Sequence, residues 1–146
     1  MEQDFTKETN TIRIAVYYCR NLELFSAYEQ KTFSRSHPGV SMVSIPCSGK
    51  IEVPYLLKTL AAGFDGVLVL ACAKAACQYF EGSLRSQRRV AYARSWLVKI
   101  QMEPQRIEFV HQPPKDVEAL EKTLRDFRAR LESLRLLSPI AVVPAG

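Results

Sequence analysis

The sequence predicts an α/β fold in which helices cover both faces of a mostly parallel four-stranded sheet. Three observations carry that expectation. The β-branched and apolar runs TIRIAVYY, VSMVSI, GVLVLA and RIEFV alternate with stretches of helical spacing, the signature of successive β-α units. The run GVLVLA is apolar without interruption, as a strand buried on both sides must be. The last helical stretch repeats its apolar residues in steps of three and four, which gives it one face for a sheet and one for water.

The elements follow in order. Residues 1–10 (MEQDFTKETN) are polar and read as a frayed lead-in. Residues 11–18 read as a buried first strand. Over residues 21–33, Leu22, Phe25, Tyr28 and, less regularly, Phe33 fall near helical spacing, and SHPG at 36–39 closes the unit with a turn. Residues 40–45 make the second strand, stopped by Pro46. A helix follows at about residues 54–62, with Tyr55, Leu56 and Leu60 on one side, Pro54 in its first turn and Gly63 suited to cap its end. The third strand is 66–71, a long helix covers about 84–100, and the fourth strand is 106–110. The final helix, 116–134, aligns Val117, Leu120, Leu124, Phe127, Leu131 and Leu134. Crossover rules turn this order into a three-layer, flavodoxin-like fold with strand order 2-1-3-4, one domain over residues 11–135. The tail at 136–146 (LLSPIAVVPAG) is apolar and broken by prolines. It either lies on its own surface or docks on a partner protein.

A chain of 146 residues suits a single domain with a real core. Apolar residues are 47% and charged residues 24%, which excludes a disordered chain, and the net charge of +5 is too diffuse for a dedicated nucleic-acid binder. No apolar window reaches the length of a membrane span, and the polar start lacks the apolar stretch of a secretory signal. A cytoplasmic protein with reduced or ligating cysteines is therefore expected.

The four cysteines are placed by the strands. Cys19 directly follows the first, Cys47 follows the second by two residues, and Cys72 directly follows the third. In a parallel sheet these positions share the carboxyl edge, where open α/β sheets bind ligands, on strands about 4.8 Å apart. Cys77 is near enough for a loop to return it. Four thiols at one rim suit an iron–sulfur cluster or another thiophilic metal. The Cys72–Cys77 spacing equals the first pair of plant-type [2Fe–2S] ferredoxins. Zinc is the chemical rival, though its usual C-x2-C knuckles are missing. The other alternative is four free thiols acting as small buried hydrophobes. His111 could reach the same rim but also fits an ordinary hydrogen-bonded role, and His37 sits in a turn with no evident partners.

These residues carry a resemblance. Cys47-Ser48-Gly49-Lys50-Ile51 and Gly63-Phe64-Asp65-Gly66-Val67, then Ala71-Cys72-Ala73-Lys74-Ala75-Ala76-Cys77-Gln78-Tyr79 and Glu81-Gly82-Ser83, resemble the motifs of one family. Arg88-Arg89-Val90 and Gln101-Met102-Glu103-Pro104-Gln105-Arg106-Ile107 continue the likeness, which runs from Ile12 to His111. The family is the small iron–sulfur delta (D) subunit of methyl-viologen-reducing hydrogenase. The resemblance implies a [2Fe–2S] cluster on Cys19, Cys47, Cys72 and Cys77. It also implies electron transfer between a hydrogenase or formate dehydrogenase and a heterodisulfide reductase A-like FAD protein. Three departures stand out: Leu22 replaces the second cysteine of a paired motif, Ala73 and Gln78 replace two histidines, and Ala75-Ala76 replaces a glycine–aspartate pair. With no spare thiol, a cluster-free adaptor of the same fold is the alternative.

Between Glu81 and Glu103 no acidic residue occurs, while Arg85, Arg88, Arg89, Arg94 and Lys99 all fall inside. Arg85, Arg88 and Arg89, with Ser95 further along, share a helix face that is either solvated or docks an acidic partner. No aromatic platform for nucleic acid accompanies the arginines. The loop after the first strand, Cys19-Arg20-Asn21-Leu22-Glu23, has no glycine, which disfavours flavin mononucleotide. No catalytic triad, carboxylate pair or P-loop occurs, so a stand-alone enzyme is not expected.

Overall fold

The structure is a computed structural model and describes residues 11–46, 51–72, 82–113 and 115–137. Its elements are β1 (Ile14–Cys19), α1 (Ala27–Ser36), β2 (Val40–Ile45), α2 (Val53–Ala61), β3 (Gly66–Ala71), α3 (Gly82–Lys99), β4 (Ile107–His111) and α4 (Val117–Leu137). Single 3-10 turns at Arg20–Leu22 and Pro104–Arg106 connect them. The strands form one sheet in the order β2-β1-β3-β4, with every pair parallel, as the flavodoxin-like expectation requires.

The two faces of the sheet bury different sets. Ile14, Val16, Tyr18, Leu68 and Leu70 pack with Phe33 of α1 and Leu120, Leu124, Phe127 and Leu131 of α4. Ala15, Tyr17, Val67 and Val69 pack on the other side with Leu56 and Leu60 of α2 and Val90, Ala93 and Leu97 of α3. Alternation along β1 and β3 produces this division, and each fully buried aliphatic side chain contributes about 1.5–3 kcal/mol. The chain moves from β1 to β2 over one face, then back across β1 to β3 and on to β4 over the other. The direction therefore reverses between β1 and β3, and the carboxyl ends of those two strands flank the switch point where such sheets place ligands.

Two local expectations are corrected. The first strand begins at Ile14, not residue 11, because Arg13 leaves the ladder: its N–H donates to Asp65 Oδ2 at 2.8 Å, and its carbonyl accepts from Asp65 and Gly66. The first helix begins at Ala27, not residue 21. Leu22 and Leu24 turn into the core instead, and Glu23 takes a left-handed conformation (φ 50°) that ends the 3-10 turn. Ser26 and Glu29 then start α1 with reciprocal capping bonds.

The amino end of the sheet is cross-braced. The Asp65 carboxylate accepts from Arg135 Nη2 at 3.0 Å as well as from the Arg13 N–H, and its carbonyl accepts from Arg106 Nη1 at 2.8 Å. Arg106 is buried and also pairs with Glu103 at 2.8 Å. Beside this brace, Gly66 lies so close to α4 that an added Cβ would stand 2.6 Å from Leu131 Cδ1.

Candidate functional site

The carboxyl end of the sheet holds both described cysteines. Cys19 is the last residue of β1, one position further along than the sequence predicts for that strand's end, and Cys72 stands immediately beyond β3. Both thiols are buried, outside any disulfide and part of the same core cluster on the α1/α4 face. Strands β1 and β3 are hydrogen-bonded neighbours in a register that pairs Tyr18 with Leu70, so the two cysteines belong to adjacent strand ends. Cys19 also lies opposite Ile45 of β2, and its Sγ is 3.9 Å from the Pro46 carbonyl. Cys47 and Cys77, the other two expected ligands, lie outside the described residues, as do Ala73 and Gln78.

The donor chemistry of the described pair fits an iron–sulfur group: two soft sulfurs on neighbouring strands at the switch point, with the apolar burial that tunes such centres. Leu22, three residues after Cys19, is fully buried in that core. Among the described residues, no three His, Cys, Asp or Glu side chains gather as metal ligands.

His111 ends β4 and reaches the rim by a structural bond, its Nδ1 donating to the Cys72 carbonyl at 3.2 Å. His37 is not the partnerless turn residue its sequence context suggests. Its ring stacks on Phe33 with centroids 4.0 Å apart, Nδ1 donates to the Phe33 carbonyl at 2.9 Å, and Nε2 stands 3.7 Å from Glu121. These residues line a groove of about 360 Å³ between α1 and α4 that neither described cysteine touches.

The cations of α3 divide into two groups. Arg89 is half-buried and donates Nη1 to the Ile51 carbonyl at 2.7 Å, and Arg94 donates Nε to the Pro104 carbonyl at 3.1 Å. Both fasten the helix to its surroundings. Arg85 and Arg88 are exposed. Ser95, grouped with them by spacing, donates its hydroxyl to the Tyr92 carbonyl at 2.6 Å. The expectation that no aromatic platform accompanies the arginines is corrected here, because Tyr92 and Trp96 share this surface and are 58% and 39% exposed. The same three- and four-residue steps from Arg88 lead to both.

No helix among the described residues is long and apolar enough to cross a membrane. Residues 14–135 match the family model described as methyl-viologen-reducing hydrogenase, delta subunit. The chain is 28% identical over 95 residues, 65% of its own length and 71% of the relative's, to the vhu iron-sulfur D-subunit of the F420-non-reducing hydrogenase of Methanocaldococcus jannaschii. It is 36% identical over 70 residues to the iron-sulfur D-subunit of the F420-non-reducing hydrogenase of Archaeoglobus profundus, covering 48% of this chain and about half (51%) of that one. It is also 25% identical over 118 residues to the A-subunit of the ferredoxin:CoB-CoM heterodisulfide reductase of Methanosarcina mazei, spanning 81% of this chain but only 14% of the relative. With its parallel sheet, its cysteines at two adjacent strand ends and a family match over nearly all of the described fold, this chain belongs to the methyl-viologen-reducing hydrogenase delta subunit family.

Proposed function

We propose that this chain is an electron-transfer component of a larger redox complex, with a [2Fe–2S] cluster held by Cys19, Cys47, Cys72 and Cys77. Its neighbours in that complex would be a hydrogenase or formate dehydrogenase module on one side and a heterodisulfide reductase A-like FAD protein on the other. The observation that carries the reading is the pairing of Cys19 and Cys72 at the ends of β1 and β3, on either side of the switch point. The relatives from Methanocaldococcus jannaschii and Archaeoglobus profundus are iron-sulfur proteins by name, which supports the cofactor class. The flavoprotein partner is supported by the Methanosarcina mazei relative, in which a stretch resembling most of this chain is one part of a far longer reductase polypeptide.

A bound [2Fe–2S] cluster supplies one-electron chemistry. The protein's part is to deliver four thiolates and a dry surround. The β1 and β3 ends fix Cys19 and Cys72 against the core, and His111 anchors the Cys72 backbone. A set of four protein ligands leaves no open coordination position, so the role is relay and not substrate turnover.

A second reading is favoured by one observation. Both thiols are buried among apolar side chains and Leu22 fills its position with a fully buried apolar group, which suits a cluster-free adaptor of the same fold. Anaerobic purification with iron and acid-labile sulfide analysis separates the two. The relay reading expects about two irons and two sulfides per chain, and Cys72→Ser should remove most of both while the circular dichroism spectrum stays folded. Iron at trace level in the anaerobic wild-type protein would leave the adaptor.

A further inference from the structure

The outward face of α3 combines charge and aromatic surface in a way the fold does not need. Ser86, Val90, Ala93 and Leu97 form its buried side. On the opposite side, Arg85, Arg88, Tyr92, Trp96 and Lys99 follow one another at three- and four-residue steps, a stripe about 21 Å long at helical rise. Tyr92 meets Trp96 edge-on with centroids 6.5 Å apart, and Lys99 Nζ sits 4.9 Å over the Trp96 ring. Arg89 and Arg94 are turned to backbone carbonyls. Arg85 and Arg88 meet no carboxylate among the described residues, and the sequence has no acidic residue between Glu81 and Glu103.

We infer that this stripe docks an acidic surface of a protein redox partner, with Trp96 and Tyr92 as the anchors and Arg85, Arg88 and Lys99 as the cationic complement. The inference rests on the electron-transfer reading for the partner's nature. Charge complementarity names the occupant: three cations with no intervening carboxylate repel a basic partner and steer an acidic one. Large, partly exposed aromatics beside arginine are the composition of interface hot spots, and the edge-to-face and cation–π contacts hold those side chains in place before docking, lowering the entropy lost on binding. The helix follows the Cys72 end of β3, so its arginine end lies toward the rim that carries the thiols. A partner seated there would stand beside the relay.

The test uses the full-length protein, purified anaerobically, and two probes. The first is a heterodisulfide reductase A-like flavoprotein from the same organism. The second is poly-L-glutamate, followed through the emission of Trp96, the single tryptophan of the chain. Binding of the flavoprotein should weaken about tenfold or more in Trp96→Ala and in the double variant Arg85→Glu/Arg88→Glu, and should fall as salt rises from about 0.05 M to about 0.3 M. Arg125→Glu on α4 is the control and should bind like wild type, with all variants melting at the wild-type temperature. If the flavoprotein binds but the α3 variants match wild type, or Arg125→Glu weakens binding equally, the docking inference is overturned and the electron-transfer reading survives. If the flavoprotein does not bind wild type, it is the partner reading that fails. The stripe is then judged on poly-L-glutamate alone. A shift in Trp96 emission that Arg85→Glu/Arg88→Glu abolishes supports an acidic partner, and an unchanged emission overturns it.

Discussion

At the amino end of the sheet, Asp65 gathers Arg13, Arg106 and Arg135, and the Asp65–Arg135 pair is largely shielded, with side-chain exposures of 18% and 28%. At the carboxyl end, the ion pair between Lys115 and Glu23 stands in water, 3.5 Å long and with exposures of 73% and 64%. Both of its residues hold left-handed backbone conformations (φ 60° and 50°), each costing about 1–2 kcal/mol for a residue other than glycine. One end is built to resist opening. Left-handed backbone is not confined to the carboxyl end, since Gln101 (φ 66°) adopts it ahead of β4, so what separates the two ends is how far their ion pairs are shielded from water. The shielded brace and the two described thiols occupy opposite ends of the same sheet.

Four substitutions break or sharpen that contrast, and the largest effect belongs to the braced end. Asp65→Ala leaves the Arg13 N–H and the Arg135 guanidinium without their carboxylate and should cost about 3 kcal/mol in urea unfolding. A loss under about 1 kcal/mol would make the two ends equivalent. Gly66→Ala drives a methyl group against Leu131 and Phe127 and should cost about 2 kcal/mol, read from the same unfolding curves.

Tyr17, inside β1, should show an intermediate effect. Its hydroxyl bonds the Thr59 hydroxyl at 2.8 Å in a buried setting, so Tyr17→Phe should cost about 1 kcal/mol at neutral pH. Burial pushes the Tyr17 phenol above its ordinary value, against the lowering effect of the Thr59 bond, and burial does the same for Tyr18. The folded chain then keeps these protons to higher pH than the unfolded chain. Their contribution is whole below the unfolded phenol value of about 10 and is lost as pH rises through the folded values. Unfolding curves above about pH 10 should therefore fall less steeply in Tyr17→Phe than in wild type. The smallest effect belongs to the open end, where Lys115→Ala should change stability by less than about 0.5 kcal/mol, a difference that thermal melting in high salt should erase.

The contrast between ends also marks what is legible in the sequence. Strand order and both helical layers are legible because GVLVLA and the Val117-to-Leu134 spacing are local patterns with one structural solution. Cys72 is legible for the same reason, since a strand end fixes its place. The start of α1 is misleading because Leu22 satisfies helical spacing yet packs into the core from a 3-10 turn. The capping signature Ser26-x-x-Glu29 is the local signal that corrects it. Arg89 looks like surface charge because nothing local ties it to Ile51, 38 residues earlier. The Asp65 brace is invisible for that reason too, joining residues 13, 65, 106 and 135 across the whole chain.

The order β2-β1-β3-β4 has a consequence for synthesis. The first of these strands to leave the ribosome is an interior one, buried along its full length in the finished sheet. Its β2 partner is complete once residue 45 is made, but the partner for its other edge, Gly66–Ala71, comes later. At a translation rate of about 5–20 residues per second, that edge stays open for several seconds. During that interval the nascent chain carries an apolar strand edge able to pair with any other, the state that chaperones guard against. Completion of β3 closes it, and only then does the end of β3 bring Cys72 beside Cys19.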